Sequence, residues 1–168
     1  ILLIAKTGLR FSEALGLTKE DIDLEQQTIN VDKTWDYKSY TGSFKPTKNA
    51  SSVRKVPIDW KLAMQLNQVI QDLPNGEPIF AQKRVFNSTV NNLLKKHCKE
   101  LNIPVISVHG LRHTHASRLI QNGMSVYEVR EVLGHSDIKT TMRYAHLEGK
   151  QVTSKARDVI NRLNQRNI

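Results

Sequence analysis

A single cysteine, Cys98, stands in the whole chain, which excludes an internal disulfide framework. It lies in an apolar-periodic run and reads as core, not as a reactive thiol. No apolar run approaches the roughly 20 residues that cross a membrane as a helix, and no secretory leader is visible. A glycine-rich phosphate loop is missing, so nothing supports nucleotide hydrolysis. Six histidines are present, among them His109, His113 and His115. The His-Glu-x-x-His pattern of a metal-binding helix is absent, however, and no cysteine pair supports a zinc site. Internal repeats and low-complexity tracts are also lacking. What the chain does have is size and positive charge. Its 168 residues, 39% of them apolar, suffice for one domain with a real core. Lysine and arginine total 25 against 16 acidic residues, a net charge of +9, and the pI is near 9.8. That balance points to an acidic partner, nucleic acid first, although a merely soluble basic domain has the same composition.

Hydrophobic periodicity divides the chain into a sheet-bearing first third and a helical remainder. Residues 1–6 read as the end of a buried helix broken at Thr7-Gly8, with a short helix from about Ser12 to Leu15. Thr18-Lys19-Glu20-Asp21 reads as a turn or short helical step. Thr28-Ile29-Asn30-Val31 alternates as a strand, and 53–58 reads as another. A third short strand is expected near 40–45, giving a small antiparallel three-stranded sheet. The polar connector 45–52 has hairpin-like turn chemistry. Beyond it, Leu62, Leu66, Val69, Ile70 and Leu73 mark one amphipathic helix, and Phe86 to Leu101 a second. Ser107 caps a third that stops at Asn122-Gly123. Ser125 with Glu128 forms a capping box for a fourth, ending at Gly134. A short helix is expected from about Ser136 to Tyr144, and a last one carries Val152, Ala156, Val159, Ile160 and Leu163. The fold class is mixed α/β and mainly α-helical. The chain opens on Ile1-Leu2-Leu3-Ile4-Ala5, which reads as the inside of a helix and suggests a fragment of a longer protein.

Several residues carry chemistry. His109 and Arg112 are three apart and share one helix face. A guanidinium there can grip two phosphate oxygens at once, yet a basic helix face of any DNA-binding protein has the same pattern. His135 follows Gly134 on a sharp corner and either serves a site or completes the helix cap. Tyr144 is a poor nucleophile while its phenol is neutral, with an unperturbed pKa of about 10. It attacks phosphorus only with a base and cations nearby. Most tyrosines simply bury a ring, and Tyr37, Tyr40 and Tyr127 compete for the role; Tyr127, on the capped helix, reads as structural. Arg10 follows a glycine turn with Glu13 three residues on, an orienting acid or an ordinary surface pair. Lys48 sits in the polar connector, where a lysine can hand a proton to a leaving oxygen. Lys45, Arg54 and Lys55 contact phosphates or are simply solvated. His115 is expected to be buried, and His113 to pack or support the turn.

Taken together, Thr7-Gly8-Leu9-Arg10, Leu111-Arg112-His113-Thr114-His115-Ala116-Ser117 and Leu133-Gly134-His135-Ser136, followed by Tyr144, resemble the catalytic domain of the tyrosine recombinases. This is the family of phage and transposon integrases. The resemblance runs from Thr7 to beyond Tyr144. The family signature, Arg…Lys…His-x-x-Arg…His…Tyr, falls here on Arg10, Lys48, His109, Arg112, His135 and Tyr144, with Glu13 at the supporting acidic position. Lys45 is the alternative for the lysine.

The resemblance implies a fold and a chemistry. Tyr144 attacks the scissile phosphate to form a 3′-phosphotyrosyl link and free a 5′-hydroxyl. Arg10 and Arg112 clamp the nonbridging oxygens, and His135 hydrogen-bonds the phosphate. Lys48 is the general acid for the 5′ oxygen, while His109 helps accept and return the tyrosine proton. No metal, nucleotide or other cofactor is implied, because the covalent link conserves the phosphodiester energy. The implied function is site-specific DNA integration and excision through a Holliday junction, on double-stranded DNA at specific core sites. The implied assembly is a homotetramer on DNA and a monomer as an isolated domain, with accessory DNA-bending or directionality proteins and no membrane partner. The implied location is the bacterial cytoplasm, at the nucleoid. Residues 1–168 would be the C-terminal catalytic domain of a longer integrase, without its N-terminal core-binding domain. The alternatives are type IB topoisomerase-like DNA relaxation, a noncatalytic DNA-binding module and a metal-dependent nuclease.

Overall fold

The computed structural model describes residues 1–147 and Ile160, so the expected helix over 152–163 lies, apart from Ile160, outside the described residues. Helix α1 spans Leu2–Thr7 and α2 spans Phe11–Leu15. Between them Gly8 takes φ 65, a left-handed turn that a side chain would strain. A Cβ there would also stand 2.6 Å from the Leu133 side chain.

After a 3-10 turn at Lys19–Asp21, three strands form one antiparallel sheet: β1 (Ile22–Asp23), β2 (Thr28–Val31) and β5 (Arg54–Pro57), in that order. Ile29 lies opposite both Ile22 and Val56. The alternation of β2 turns Ile29 and Val31 into the core and leaves Thr28 and Asn30 half-exposed. The third strand of this sheet is therefore Ile22–Asp23 and not a segment near 40–45. Phe44–Pro46, β4, pairs instead with Lys33–Trp35, β3, as a separate hairpin. The Trp35 and Phe44 rings meet edge-on at 4.9 Å across it.

The helical remainder comprises α3 (Trp60–Ile70), α4 (Asn87–Glu100), α5 (Val108–Gln121), α6 (Val126–Leu133) and α7 (Ile138–Met142). Local hydrogen bonds set the boundaries. Ser107 Oγ accepts the Gly110 N–H at 3.0 Å to start α5. Ser125 and Glu128 exchange a capping box at the start of α6. Asp137 starts α7 by accepting from Lys139 N–H at 2.9 Å.

Two apolar clusters hold these elements. The larger joins Leu3, Leu9, Leu17, Ile29, Val56 and Leu66 with Leu94 of α4. The smaller gathers Ala116, Ile120, Val126, Val129, Leu133 and the Tyr144 ring. Cys98 is buried, as its run suggested. Tyr127 is 68% exposed and contributes nothing to the core, because it occupies the outer face of α6. His115 is only half-buried.

Candidate active site

Three arginines from distant parts of the chain converge on the C-terminal end of α6. Arg54 Nε donates to Val132 O at 2.7 Å, Arg112 Nη2 to Leu133 O at 2.8 Å and Arg10 Nη2 to Gly134 O at 2.9 Å. The last carbonyls of a helix have no intrahelical partner and carry the negative end of its dipole. Successive residues of that end thus anchor guanidiniums from β5, α5 and the start of α2. Gly134 takes φ 67 to close the helix, and a Cβ there would stand 2.9 Å from Arg54 Nη1 and from Ser51 O.

Glu13 offsets one of the cluster's three positive charges. It is 1% exposed. Its Oε1 lies 2.6 Å from Arg10 Nη1, and its Oε2 lies 3.0 Å from Arg54 Nη2 and accepts the Arg10 backbone N–H at 2.8 Å. Burial alone would push this carboxyl up, but Arg54 and then Arg10 outweigh it and hold the group below the usual carboxylate range. Arg112, 4% exposed, also donates to Gly8 O through Nη1. Burial, followed by repulsion from Arg10, lowers it to about 10, so it remains a cation at neutral pH.

Beside this cluster opens a cleft of about 320 Å³ lined by Arg10, Asn87, His109, Arg112, His135 and Thr140, with Leu9, Phe11 and Val108 as its apolar wall. His135 is 8% exposed and shares a 2.8 Å hydrogen bond between Nδ1 and Thr141 Oγ1. Burial and the surrounding arginines, Arg112 foremost, bring it down to about 4, so the imidazole is neutral at neutral pH. This depression makes stability pH-dependent. The unfolded chain, with a histidine pKa of about 6.5, binds the proton first, so stability falls as pH drops from 6.5 towards 4. His113 and His115 are shifted the same way. Urea midpoints at pH 7 and pH 5 should therefore fall further apart for the parent than for His135→Asn, and an equal gap would remove His135 as a contributor.

Tyr144 follows α7 and does not line the cleft. It is 7% exposed, its ring lies in the smaller cluster and its hydroxyl hydrogen-bonds His113 Nδ1. Burial raises its pKa, with Arg143 and Arg112 opposing. His109 does not meet the phenol; its ring packs edge-on against His113 at 4.3 Å.

Lys48 is exposed on the segment between β4 and a 3-10 turn at Ala50–Ser52, outside the cleft. Ser52 of that turn approaches Arg10 Nη1 at 3.5 Å, so the segment leads directly into the site. Lys45 is engaged elsewhere, 2.6 Å from Asp36. Arg54 is no solvated surface cation: its side chain is 6% exposed and fully engaged in the cluster. Its place on the buried face of β5, two residues before Val56, was the signal for this. His113, one helical turn after His109, carried a similar signal. Among the described residues no group of histidines, cysteines and acids could hold a metal ion, and no helix is long and apolar enough to cross a membrane.

A small antiparallel sheet and helical bundle that bring two arginines and two histidines to one cleft, with a buried tyrosine behind, have the architecture of a tyrosine recombinase catalytic domain. The model of the phage integrase family matches residues 1–151, and the chain belongs to that family. It is 30% identical over 164 residues to the integrase of Staphylococcus phage L54a, across 87% of this chain and 46% of that protein. It is 30% identical over 183 aligned positions to the ICEBs1 integrase of Bacillus subtilis (strain 168), across 92% of this chain and 46% of that one. The chain thus spans about half the length of these relatives. The Tn1549 transposon integrase, solved in complex with circular intermediate DNA, superposes with a TM-score of 0.73 at 25% identity, covering 84% of this chain and 52% of that one.

Proposed function

We propose that the chain is the C-terminal catalytic part of a site-specific DNA recombinase that cuts and rejoins double-stranded DNA through Tyr144. The observation that carries this reading is the convergence of Arg10, His109, Arg112 and His135 on one cleft, with Tyr144 buried behind His113 and His109. A scissile phosphate held there would meet Arg10 and Arg112, whose carbonyl anchors fix them before charge develops, and would accept hydrogen bonds from His109 and His135. Tyr144 forms the 3′-phosphotyrosyl bond. Lys48, carried by the segment whose Ser52 approaches Arg10, protonates the departing 5′ oxygen. A second strand's 5′-hydroxyl then displaces the tyrosine, so that exchange passes through a Holliday junction and needs neither nucleotide nor metal. The net charge of +9 supplies sequence-independent attraction to the phosphate backbone. A core-binding domain on the N-terminal side, four protomers on two duplexes and accessory DNA-bending proteins complete this reading, which places the protein at the bacterial nucleoid. That the similar Tn1549 structure is a DNA complex supports it.

The test is incubation in EDTA with a nicked duplex carrying the junction of the DNA element that encodes the chain. A covalent protein–DNA band on a denaturing gel is expected, and strands should be joined to a second duplex when one is supplied. Relaxation of supercoiled plasmid without partner exchange would replace recombination by topoisomerase activity, and cleavage only after a divalent ion is added would overturn the tyrosine mechanism.

A further inference from the structure

We infer that Asn87 is a further substrate-binding residue of the cleft, whose carboxamide donates to a nonbridging oxygen of the scissile phosphate. The inference rests on the recombinase reading above. Asn87, the first residue of α4, is half-buried and lines the cleft together with Arg10, His109, Arg112 and His135. Of the described polar residues that line it, only Asn87 and Thr140 have no part in the chemistry above. Hydrogen bonds fix which end of the Asn87 carboxamide remains free. The Val108 backbone N–H can only donate, and it donates to Asn91 Oδ1 at 2.8 Å. The other end of Asn91 is therefore Nδ2, which donates to Asn87 Oδ1 at 2.6 Å. That contact occupies the Asn87 oxygen, and Asn87 Nδ2 has no partner among the described residues. A carboxamide nitrogen carries two N–H donors and accepts nothing. The cleft wall thus holds unpaired donors, suited to an anion.

The electrostatics of the site favour an uncharged donor at this place. Arg10, Arg54 and Arg112 stand against one buried carboxylate, Glu13. Burial, then repulsion from Arg10 and from Arg54, already disfavours the Arg112 charge. A further cation would add to that repulsion. A carboxamide supplies N–H donors without charge, and its hydrogen bond to an anionic oxygen is stronger than one between neutral groups. The same pair of amides ties α4 to the first residue of α5, just before His109. Asn87 and His109 are therefore held in place by one chain of hydrogen bonds. Charge builds on the nonbridging oxygens as the reaction proceeds, so the Asn87 contact strengthens in the transition state. Its loss falls on the rate of cleavage more than on DNA affinity.

The experiment measures single-turnover adduct formation on the nicked junction duplex by the parent, Asn87→Ala and Asn87→Asp, with gel-shift affinities alongside. Asn87→Ala is expected to cleave about 10–10²-fold more slowly, the worth of one hydrogen bond to a charged group, with DNA affinity close to the parent's. Aspartate keeps an oxygen for the Asn91 N–H, and so the contact within α4, but replaces the donor by an acceptor. Asn87→Asp should therefore cleave more slowly than Asn87→Ala, whereas a residue needed only for packing gives the reverse order. Duplexes with sulfur in place of one nonbridging oxygen, in either configuration, at the scissile phosphate or at either neighbour, identify the atom that Asn87 holds. Sulfur accepts a hydrogen bond poorly. In one configuration at the scissile phosphate the parent should slow towards Asn87→Ala, so the gap between them narrows. The gap should stay full in the other configuration and at the neighbouring phosphates. Parental cleavage by either variant, or a gap that sulfur at the scissile phosphate leaves unchanged in both configurations, overturns the contact. If the parent itself forms no adduct, the recombinase reading fails, and that outcome is visible before any Asn87 variant is compared.

Discussion

Tyr144→Phe is expected to abolish the covalent protein–DNA species completely while leaving the fold and DNA binding close to the parent's. The substitution removes one oxygen. The ring keeps its place among Ala116, Ile120, Val129 and Leu133, so its apolar burial is retained. What is lost is the hydrogen bond to His113, a net stability change of about 0.5–1.5 kcal/mol. Chemistry responds differently. Removing an arginine or histidine from the cleft lowers stabilisation of the transition state and slows the reaction, yet leaves a nucleophile that still reacts at some rate. Removing the phenol leaves nothing to form the phosphotyrosyl bond. Denaturing gels after incubation with the nicked duplex, together with gel-shift affinities, separate these cases. An adduct that persists in Tyr144→Phe would send the nucleophile elsewhere. Tyr37 would be the first alternative, since its ring packs edge-on against Phe11 at 5.0 Å, next to Arg10. Tyr40 is 86% exposed near Arg84, and Tyr127 lies on the outer face of α6.

The features of this molecule that were legible in its sequence are those set by neighbours within a turn or two. Ser107, Ser125 with Glu128, and Gly134 marked helix ends through hydrogen bonds spanning three or four residues. The alternation of Thr28–Val31 showed in side-chain type. The third strand did not, because Ile22–Asp23 is two residues long and has no pattern of its own. It is a strand only because Ile29 lies opposite it. The separation of β3–β4 into its own hairpin was hidden for a related reason: Lys33-Thr34-Trp35 has no buried side and is half-exposed throughout. In the site, the resemblance to the tyrosine recombinases singled out Arg10, His109, Arg112, His135 and Tyr144. The partners that organise them depend on contacts far apart in the chain, as in Arg54 with Glu13, 41 residues away, and His113 with Tyr144, 31 residues away. No local pattern encodes such pairs. Charge on the inward face of a strand, and a histidine one turn from another, were the traces they left.

Glu13→Ala is expected to cost about 3–5 kcal/mol of folding stability, the range for removing one partner of a buried ion pair. The carboxylate is almost fully buried and binds two guanidiniums at once. Its loss leaves Arg54, with a 6% exposed side chain, holding an uncompensated charge beside Arg10 and Arg112. Arg54 cannot swing into water without also abandoning Val132 O and Ser52 O. Urea denaturation of the single variant gives the cost, and Glu13→Leu combined with Arg54→Met tests its origin. With both charges gone, part of the lost stability should return, because paired removal avoids the stranded cation. The recovery is incomplete, since Val132 O then lacks its donor. Cleavage should not return with stability. Arg10 has lost the carboxylate that fixes both its guanidinium and its backbone N–H, and a misplacement of about 1 Å in a positioned group can cost about 10²-fold in rate. A single variant within about 1 kcal/mol of the parent would rule out the buried pair as a stabilising element, because a stranded buried charge cannot be that cheap. A double variant that regains both stability and parental cleavage would show that Arg10 is held adequately by Gly134 O alone, and Glu13 would then be a counter-ion for Arg54 with no part in positioning the phosphate clamp.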